Sequence, residues 1–242
     1  MFDHVTIRSS DRAASEQFYD TVLEALGIDE TYRTTHFSEW SDFALTGATA
    51  DHPTTRRLHV GFVAPSREQV DQFWRRGTEA GYTSDGEPGL RPQYGIDYYG
   101  AFLLDPDGNS AEAVHFHGLR RGGVVDHLWI RVADLAASRR FYETIAPYAG
   151  FRLHRELPER VHFAGRTGSF SIVSGPATAN LHAAFPVSDD ALIRRFHEAA
   201  VAAGYRSHGE PGERPRYHPG YYAAYVLDPD GNNIELVNHH RD

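Results

Sequence analysis

The sequence predicts an α+β protein made of two tandem copies of one domain. Blocks in the first half of the 242-residue chain return in the second half at a shift of 123 residues. FDHVTIRSSDRAASEQFYDT (2–21) matches VDHLWIRVADLAASRRFYET (125–144), and YYGAFLLDPDGNSAEAV (98–114) matches YYAAYVLDPDGNNIELV (221–237). Within each copy, strand and helix patterns alternate in the order strand, helix, strands, and this order occurs twice. A repeat of this length indicates a duplicated domain, because solenoid units are far shorter.

The first half of each copy begins with a short strand and a helix. HVTIR (4–8) alternates as a strand does, and SSDRAASEQFYDTVLEALG (9–27) carries Ser and Asp where a helix N-cap belongs. Gly27 ends the apolar helical spacing. DFALT (42–46) is a strand, and the polar stretch before it is expected to contain another.

The second half repeats this plan. RLHVGFVAP (57–65) predicts a strand and SREQVDQFWRRGTEAG (66–81) a helix. Three further strands follow at YTSDGE (82–87), YYGAFLLD (98–105) and NSAEAVHF (109–116), with DPDG as a hairpin turn. Each copy therefore contains two βαβββ units, expected to curl around a cleft. We expect the domains at 1–119 and 124–242, joined by a flexible exposed connection at 117–125.

Three residues of metal-binding type recur with the repeat. The set consists of two histidines that begin strands and a glutamate on the last strand: His4, His59 and Glu112, then His127, His182 and Glu235. Two imidazoles and one carboxylate make a facial metal set that leaves other coordination positions open. The chain contains no cysteine, so a metal would be bound by nitrogen and oxygen atoms.

The setting of the glutamates supports this interpretation. Glu112 lies in the apolar strand AEAV and Glu235 in IELV, where a buried carboxylate is costly without a cation or hydrogen bonds. The rival explanation is that the three residues recur because a fold that binds no metal was duplicated. The topology also stays open: His4 can complete the site of its own copy, or exchange with His127 and complete the other.

Further candidates line the same predicted cleft. Arg8 and Arg131 share a strand face with the first histidines, and the segments GLRPQYGIDYYG (89–100) and GERPRYHPGYYA (212–223) precede the hairpin with the glutamate. We expect substrate contacts from Arg8, Arg131, Arg91, Arg214, Tyr94 and Tyr217. One tyrosine of each adjacent pair, Tyr98 or Tyr99 and Tyr221 or Tyr222, can face the cleft; Tyr99 and Tyr222 are predicted as catalytic, with His218 as a base.

Composition excludes several classes of protein. The chain has 33 acidic and 24 basic residues, a formal charge of −9 and no long run of one sign, which argues against nucleic-acid binding. It contains neither a basic-then-apolar leader nor an apolar run of membrane-spanning length. We expect a cytoplasmic protein that acts on a small molecule, either a monomer with an internal pseudo-dimer or a homodimer.

These motifs resemble the vicinal oxygen chelate superfamily, which includes glyoxalase I, extradiol dioxygenases and bleomycin-resistance proteins. The resemblance rests on DHVTIR/DHLWIR, LHVGF/LHAAF and above all DPDGN-x-x-E, and it covers nearly the whole chain as two tandem glyoxalase-like domains. It implies that the paired histidines and the glutamate bind a divalent metal that is chelated by a substrate. The chain departs from glyoxalase I in offering no fourth ligand around DFALT and SFSIV.

The resemblance implies an enzyme that uses Fe²⁺, Mn²⁺, Zn²⁺ or Ni²⁺ on a small metabolite with adjacent oxygens, by dioxygenase, lyase or isomerase chemistry. The alternative is a non-catalytic drug- or metabolite-binding protein of the bleomycin-resistance type. A third possibility is one active domain beside a structural one.

Overall fold

The computed structural model describes residues 1–240, and its contacts divide the chain into two compact units. Unit 2 comprises Thr6–Trp129, whereas unit 1 comprises Met1–Val5 together with the chain from Ile130 onward. The first five residues therefore group with the second half of the chain. No helix of the described residues is long and apolar enough to cross a membrane.

Each copy contains the two predicted βαβββ units. In the first copy they are β1 (His4–Ser9), α1 (Arg12–Glu24), β2 (Tyr32–Arg33), β3 (Phe37–Trp40) and β4 (Phe43–Gly47), then β5 (Leu58–Val63), α2 (Arg67–Glu79), β6 (Ser84–Leu90), β7 (Tyr99–Leu104) and β8 (Ser110–His115). In the second they are β9 (Val125–Val132), α3 (Leu135–Ala149), β10 (Phe151–Leu157), β11 (Arg160–Gly165) and β12 (Ser169–Ser174), then β13 (His182–Pro186), α4 (Asp190–Ala202), β14 (Ser207–Glu213), β15 (Tyr222–Leu227) and β16 (Asn233–Asn238). The fold class predicted from the repeat is confirmed.

Two strands pass from one unit into the other and take part in both. β1 begins in unit 1 and ends in unit 2, and β9 begins in unit 2 and ends in unit 1. In unit 2 the strand orders are β2-β3-β4-β1 and β6-β7-β8-β5-β9; in unit 1 they are β10-β11-β12-β9 and β14-β15-β16-β13-β1. The first residues of β1 therefore belong to unit 1 and the rest of β1 to unit 2, whereas β9 is divided in the opposite way.

Each of the first two helices begins at a capping side chain, and Asp11 is one of those that the sequence predicts. Asp11 accepts a hydrogen bond from the backbone N–H of Ala14 at 3.1 Å, and Ser66 accepts one from Gln69 at 3.3 Å. These bonds satisfy N–H groups that the first helical turn leaves without a partner. Gly27 has φ +73°, a left-handed conformation that follows the end of α1 and suits glycine.

The DPDGN turn sets the register of the strands that carry the site. Asp105 Oδ1 accepts the backbone N–H groups of Asp107 and Asn109, and Asn109 Oδ1 accepts the N–H of Leu58 at 3.1 Å. This last bond fixes β5 beside β8, so that His59 lies opposite Ser110 in a parallel pair. The second copy uses the same device: Asn232 accepts the N–H of Leu181 at 3.0 Å.

The connection at 117–125 is exposed at positions 117, 118, 121 and 122, as expected, but it is held in place at Arg120. The Arg120 side chain is buried and forms an ion pair with the equally buried Asp42. Asp42 Oδ1 also accepts the backbone N–H groups of Val124 and Val125 at 2.8 and 3.1 Å. The connection is therefore anchored at its centre, because a buried charge must be paired. Composition alone did not reveal this, since the partner lies 78 positions away in the chain.

Candidate metal centres

Three of the predicted ligands converge in unit 2. His59 Nε2 lies 2.9 Å from Glu112 Oε2, His127 Nε2 lies 3.1 Å from the same oxygen, and the two Nε2 atoms are 3.3 Å apart. Glu112 and His127 are buried, and His59 is half-buried. We call this set the unit 2 site.

The other three converge in unit 1 in the same way. His182 Nε2 lies 2.8 Å from Glu235 Oε2, and His4 Nε2 lies 3.5 Å from that oxygen and 3.1 Å from His182 Nε2. Glu235 is fully buried, and both histidines are half-buried. We call this set the unit 1 site.

The donor separations fit a single divalent cation in each site. First-row metals bind histidine nitrogen and carboxylate oxygen at about 2.0–2.2 Å, so two donors at right angles lie about 3 Å apart. The observed separations run from 2.8 to 3.5 Å in unit 1 and from 2.9 to 3.3 Å in unit 2. Three donors whose bonds to the metal stand at nearly right angles to one another occupy one face of an octahedron. The opposite face is then left for a substrate.

The two sites exchange their first histidines between copies. His4 of the first copy joins His182 and Glu235 of the second, whereas His127 of the second joins His59 and Glu112 of the first. The sequence left both arrangements open. The crossing follows from the strands described above, because the starts of β1 and β9 lie in the other copy's unit. Asp3 N–H donates to the Ala184 carbonyl at 2.9 Å in unit 1.

In the unit 2 site, both histidines turn Nε2 toward the centre because Nδ1 has another partner. His127 Nδ1 lies 3.0 Å from Asp126 Oδ2. His59 Nδ1 lies 3.3 Å from Ser110 Oγ, whose own proton goes to Asp85 Oδ2 at 2.7 Å. Each Nδ1 therefore donates to its partner, so Nε2 is the nitrogen that faces the centre and can bind a cation once it carries no proton.

The unit 1 site uses a different partner for its second histidine. His4 Nδ1 lies 2.9 Å from Asp3 Oδ1, which matches the pairing in unit 2. His182 Nδ1 instead lies 2.7 Å from the amide nitrogen of Asn233, whose Oδ1 is buried without a hydrogen-bond partner. Rotating this amide by half a turn brings Oδ1 to Nδ1, so that His182 donates from Nδ1 and presents a free Nε2. A bound cation favours that orientation.

Both glutamates are charged in the absence of a cation. Burial raises the pKa of Glu112, but hydrogen bonds from His127 and His59 outweigh burial and lower the pKa to about 2. Glu235 behaves alike: burial raises its pKa, and hydrogen bonds from His182 and His4 lower it to about 2. Each site thus holds a buried negative charge that needs a positive partner.

One histidine of each site supplies that positive charge. Burial lowers the pKa of His127, but hydrogen bonds to Asp126 and Glu112 raise it to about 10. Burial likewise lowers the pKa of His4, and hydrogen bonds to Asp3 and Glu235 raise it to about 10. A metal ion would replace the proton on Nε2, so its binding releases protons.

The tyrosines that contact the glutamates are the chain neighbours of Tyr99 and Tyr222, whose catalytic role stays a prediction. Tyr98 and Tyr221 donate to Oε1 of Glu112 and Glu235 at 2.8 and 2.6 Å, which leaves Oε2 for a cation. Burial and the neighbouring glutamate raise the pKa of both tyrosines, so they stay protonated donors. The second tyrosine of each pair points to a helix instead: Tyr99 donates to Asp71 at 2.8 Å, and Tyr222 accepts from Arg194 at 3.2 Å. Alternation along the strand separates the members of each pair.

His218 does not lie against the three ligands. Its Nε2 is 2.8 Å from His239 Nδ1, and His239 Nε2 is 2.9 Å from Asp3 Oδ2. The structure therefore connects His218 to the unit 1 site through two intervening side chains, and its role as a base stays a prediction. Gly95 takes this position in the first copy, so only one of the sites has the connection.

The two arginines predicted to bind substrate from the segments before the glutamate hairpins lie over aromatic rings. Arg91 donates to the Glu87 carbonyl and covers the Phe102 ring at 5.4 Å, and Arg214 donates to the Glu210 carbonyl and covers the Tyr225 ring at 5.5 Å. These rings lie next to His59 and His182, at 5.8 and 6.2 Å.

Tyr94 and Tyr217 lie beside the tyrosines that bind the glutamates, with ring separations of 5.3 Å to Tyr98 and 4.8 Å to Tyr221. The backbone N–H groups of Arg8 and Arg131 donate to Thr55 and Thr178. Substrate binding by all six residues stays a prediction.

Sequence reasoning missed several residues around the two sites. Trp129 lies 5.8 Å from the His59 ring and 5.4 Å from the Tyr94 ring. Alternation along β9 could have revealed it, since Trp129 follows His127 by two positions. Asp3 and Asp126 could also have been identified from the sequence, because an acidic residue precedes the first histidine in both copies.

Comparison with known proteins agrees with these observations. The family model described as Glyoxalase/Bleomycin resistance protein/Dioxygenase superfamily matches residues 1–113 and 124–236. Glyoxalase I from Zea mays superposes with a TM-score of 0.71 at 18% identity, covering 98% of this chain and 92% of that one. A putative dioxygenase from Bacillus subtilis gives 0.67 at 13% identity, covering 99% and 85%. These similarities show the fold. No curated protein matches the chain in sequence.

Proposed function

Because the chain belongs to the glyoxalase/bleomycin resistance protein/dioxygenase superfamily, we propose that it is a metal-dependent enzyme acting on a small metabolite with adjacent oxygens. The observation that carries this proposal is the convergence of His4, His182 and Glu235, repeated by His59, Glu112 and His127. Fe²⁺, Mn²⁺, Zn²⁺ and Ni²⁺ all suit such nitrogen–oxygen sets. A bound cation would supply Lewis acidity at the substrate oxygens.

The residues around each site support a chelating substrate. Three donors on one face leave neighbouring positions free, which two adjacent oxygens of one molecule can fill together. Tyr98 and Tyr221 orient the glutamates, and in unit 2 the rings of Trp129 and Tyr94 form an apolar wall beside His59. A flat ligand would pack against that wall. A cytoplasmic location, the oligomeric state and the domain boundaries at residues 119 and 124 stay predictions.

Metal analysis of the purified chain tests the proposal. We expect near-stoichiometric metal in protein prepared without chelators, and loss of one metal per chain in each of His59→Ala and His182→Ala. Protein loaded with each of the four metals is then assayed on a catechol for O₂ consumption and on an α-hydroxyketone for isomerisation. A chain that takes up no divalent metal yet binds an aromatic ligand tightly would show a binding protein instead.

A further inference from the structure

Aromatic rings lie beside His59, a member of the unit 2 site. The His59 ring lies 5.8 Å from the Trp129 ring and 5.8 Å from the Phe102 ring. The Tyr94 ring lies 5.4 Å from the Trp129 ring and 5.3 Å from the Tyr98 ring. The rings of Trp129, Phe102, Tyr94 and Tyr98 therefore form an aromatic surface around the metal set, which we call the unit 2 wall.

The unit 2 wall presents part of its surface to solvent. Three of its rings are half-buried, and Tyr94 is 41% exposed. The segment that carries Tyr94 also exposes Leu90 by 50% and Ile96 by 94%. Exposed apolar surface of this kind is unfavourable in water and marks a binding site. Because the wall begins at a ligand of the metal set, its occupant is an apolar substituent of the molecule whose oxygens would bind the metal.

The second copy has a different set of residues at these positions. Tyr217 and Tyr221 repeat Tyr94 and Tyr98. The other apolar side chains of the region have smaller or more polar counterparts at the shift of 123 residues: Thr6 for Trp129, Tyr225 for Phe102, Glu213 for Leu90 and Pro219 for Ile96. The unit 1 site thus keeps the tyrosines next to its glutamate, whereas the rest of the wall belongs to unit 2 alone.

Tyr225 gives unit 1 a hydroxyl that Phe102 cannot supply in unit 2. The Tyr225 ring lies 6.2 Å from the His182 ring, and the residue is paired with Glu235 across two antiparallel strands. Its side chain belongs to a residue that is only 7% exposed, and its hydroxyl has no partner with ordinary hydrogen-bond geometry in the part of the chain that the structure describes. A buried hydroxyl without a partner is costly, so a bound molecule that supplies an acceptor is favoured there over an apolar one.

We infer that the two metal sites select different substrates: unit 2 takes a molecule with an apolar aromatic substituent next to its adjacent oxygens, and unit 1 takes one whose substituent accepts a hydrogen bond. The donor types are the same in both metal sets, so the substituent decides which site binds. Trp129 and Phe102 determine the specificity of unit 2, and Tyr225 determines that of unit 1. The inference rests on the proposed function, because it takes the adjacent oxygens to be bound by a metal.

Hydroxamates with different substituents test the choice made by unit 2. Acetohydroxamate and benzohydroxamate chelate a metal through the same two oxygens, but only the second has an aromatic ring. His182→Ala leaves the unit 2 site and His59→Ala leaves the unit 1 site, and the visible bands of bound Co²⁺ report the binding of each hydroxamate. We expect the unit 2 chain to bind benzohydroxamate at least about tenfold more tightly than acetohydroxamate, and the unit 1 chain less than about threefold, since burial of the ring stabilises only the first complex.

Pyridine hydroxamates test the choice made by unit 1. Nicotinohydroxamate and isonicotinohydroxamate have the shape of benzohydroxamate, and their ring nitrogen accepts a hydrogen bond without joining the chelate. We expect the unit 1 chain to bind one of them at least about fivefold more tightly than benzohydroxamate, because a hydrogen bond to Tyr225 is formed. The unit 2 chain should prefer benzohydroxamate to both.

Exchanging residues between the copies provides matched variants. Phe102→Tyr with Trp129→Thr introduces the residues of the second copy into unit 2 and should remove the preference for benzohydroxamate over acetohydroxamate. Tyr94→Ser changes an exposed residue of the wall and should reduce that preference with less risk to folding. Tyr225→Phe should abolish the preference of unit 1 for a pyridine ligand. Trp74→Thr removes a tryptophan of α2 that bonds to β6, and it should leave every ratio unchanged.

The outcomes separate this inference from the proposed function. Equal preferences in the two Co²⁺-loaded single-site chains would overturn the inference and leave the metal sites intact, as would preferences that survive the exchanges. Single-site chains that bind no Co²⁺ would contradict the metal sites and the proposed function. Sedimentation tests the remaining occupant: a dimer that dissociates on Ile96→Ser would show that a second copy of the chain covers this segment, and would overturn its assignment to a substrate.

Discussion

The Nε2 atoms of His4 and His182 lie 3.1 Å apart, although 178 positions separate these residues in the chain. The same geometry joins His59 to His127 across the two copies at 3.3 Å. Each metal set therefore depends on residues from both halves of the sequence. A half expressed alone would lack one histidine of its site.

Counting metal in double variants tests this crossing. His4→Ala with Glu235→Ala removes two ligands of the unit 1 site, so we expect the chain to keep one metal. His4→Ala with Glu112→Ala damages both sites and should leave none. Elemental analysis of the two proteins, with circular dichroism to verify folding, gives the answer. The reverse pattern of metal content would mean that each copy completes its own site.

Gly61 gives a second test, specific to unit 2. A Cβ atom at this position would lie 2.3 Å from Cε1 of His127, a contact that cannot form without displacing the ring. We expect Gly61→Ala to lower the metal affinity of the unit 2 site at least about 10-fold and to leave that of unit 1 unchanged, since overpacking costs about 1–3 kcal/mol. Ala184 takes this place in unit 1, and Ala184→Gly serves as the matched control. Equal losses at both sites would contradict the explanation.

The adjacent tyrosines offer a third comparison. Tyr98→Phe removes the hydrogen bond to Glu112 Oε1, and we expect metal affinity at unit 2 to fall by about 10–100-fold. Tyr99→Phe removes a hydrogen bond to Asp71 on α2 and should leave affinity within about twofold. Competition with a chelating dye measures both. A larger effect from Tyr99→Phe would contradict this assignment and would support the catalytic tyrosine predicted from the sequence.

The stability of metal-free protein should depend on pH through the ligands. The pKa of His4 and His127 is raised from 6.5 to about 10, so their contribution is complete below pH 6.5 and disappears as the pH rises through about 10. The pKa of Glu112 and Glu235 is lowered from 4.5 to about 2, so their contribution is present above pH 4.5 and disappears as the pH falls through about 2. These groups favour the folded state most between pH 4.5 and 6.5.

Thermal unfolding with a chelator present measures this profile. We expect Tm to decline from pH 6.5 toward 10 in metal-free protein and to decline less in Glu112→Gln with Glu235→Gln, where the histidines lose their anionic partners. Saturating Zn²⁺ should reverse the trend, since the cation replaces a proton and binds more tightly as pH rises. A metal-free profile that rises over this range would contradict the assigned charges.

Much of the fold was predictable because its signals are local. The alternation in HVTIR, the Asp11 cap and the DPDGN turn each depend on a few neighbouring residues, and the structure has all of them as expected. Glu112 and Glu235 were predictable as well, because a carboxylate in an apolar strand needs compensation wherever the strand lies.

Contacts between distant residues were not predictable in this way. Alternation showed that the adjacent residues Tyr98 and Tyr99 point to opposite sides, but not which of the two faces the glutamate. The pairing of Arg120 with Asp42 and of His239 with Asp3 joins segments that have no sequence relation to each other. The glycines at 117–125 therefore suggested a flexible connection, because the sequence does not show that Arg120 pairs with Asp42 and is buried.

The sequence by itself determined that the chain is a duplication, that each copy contains two βαβββ units and that six residues of metal-binding type recur in order. Only the tertiary structure decided that His4 and His127 exchange partners and that a histidine pair adjoins one site alone. The physical reason is that strand periodicity depends on neighbouring residues, whereas the pairing of β1 with β13 and of β9 with β5 depends on how distant segments pack.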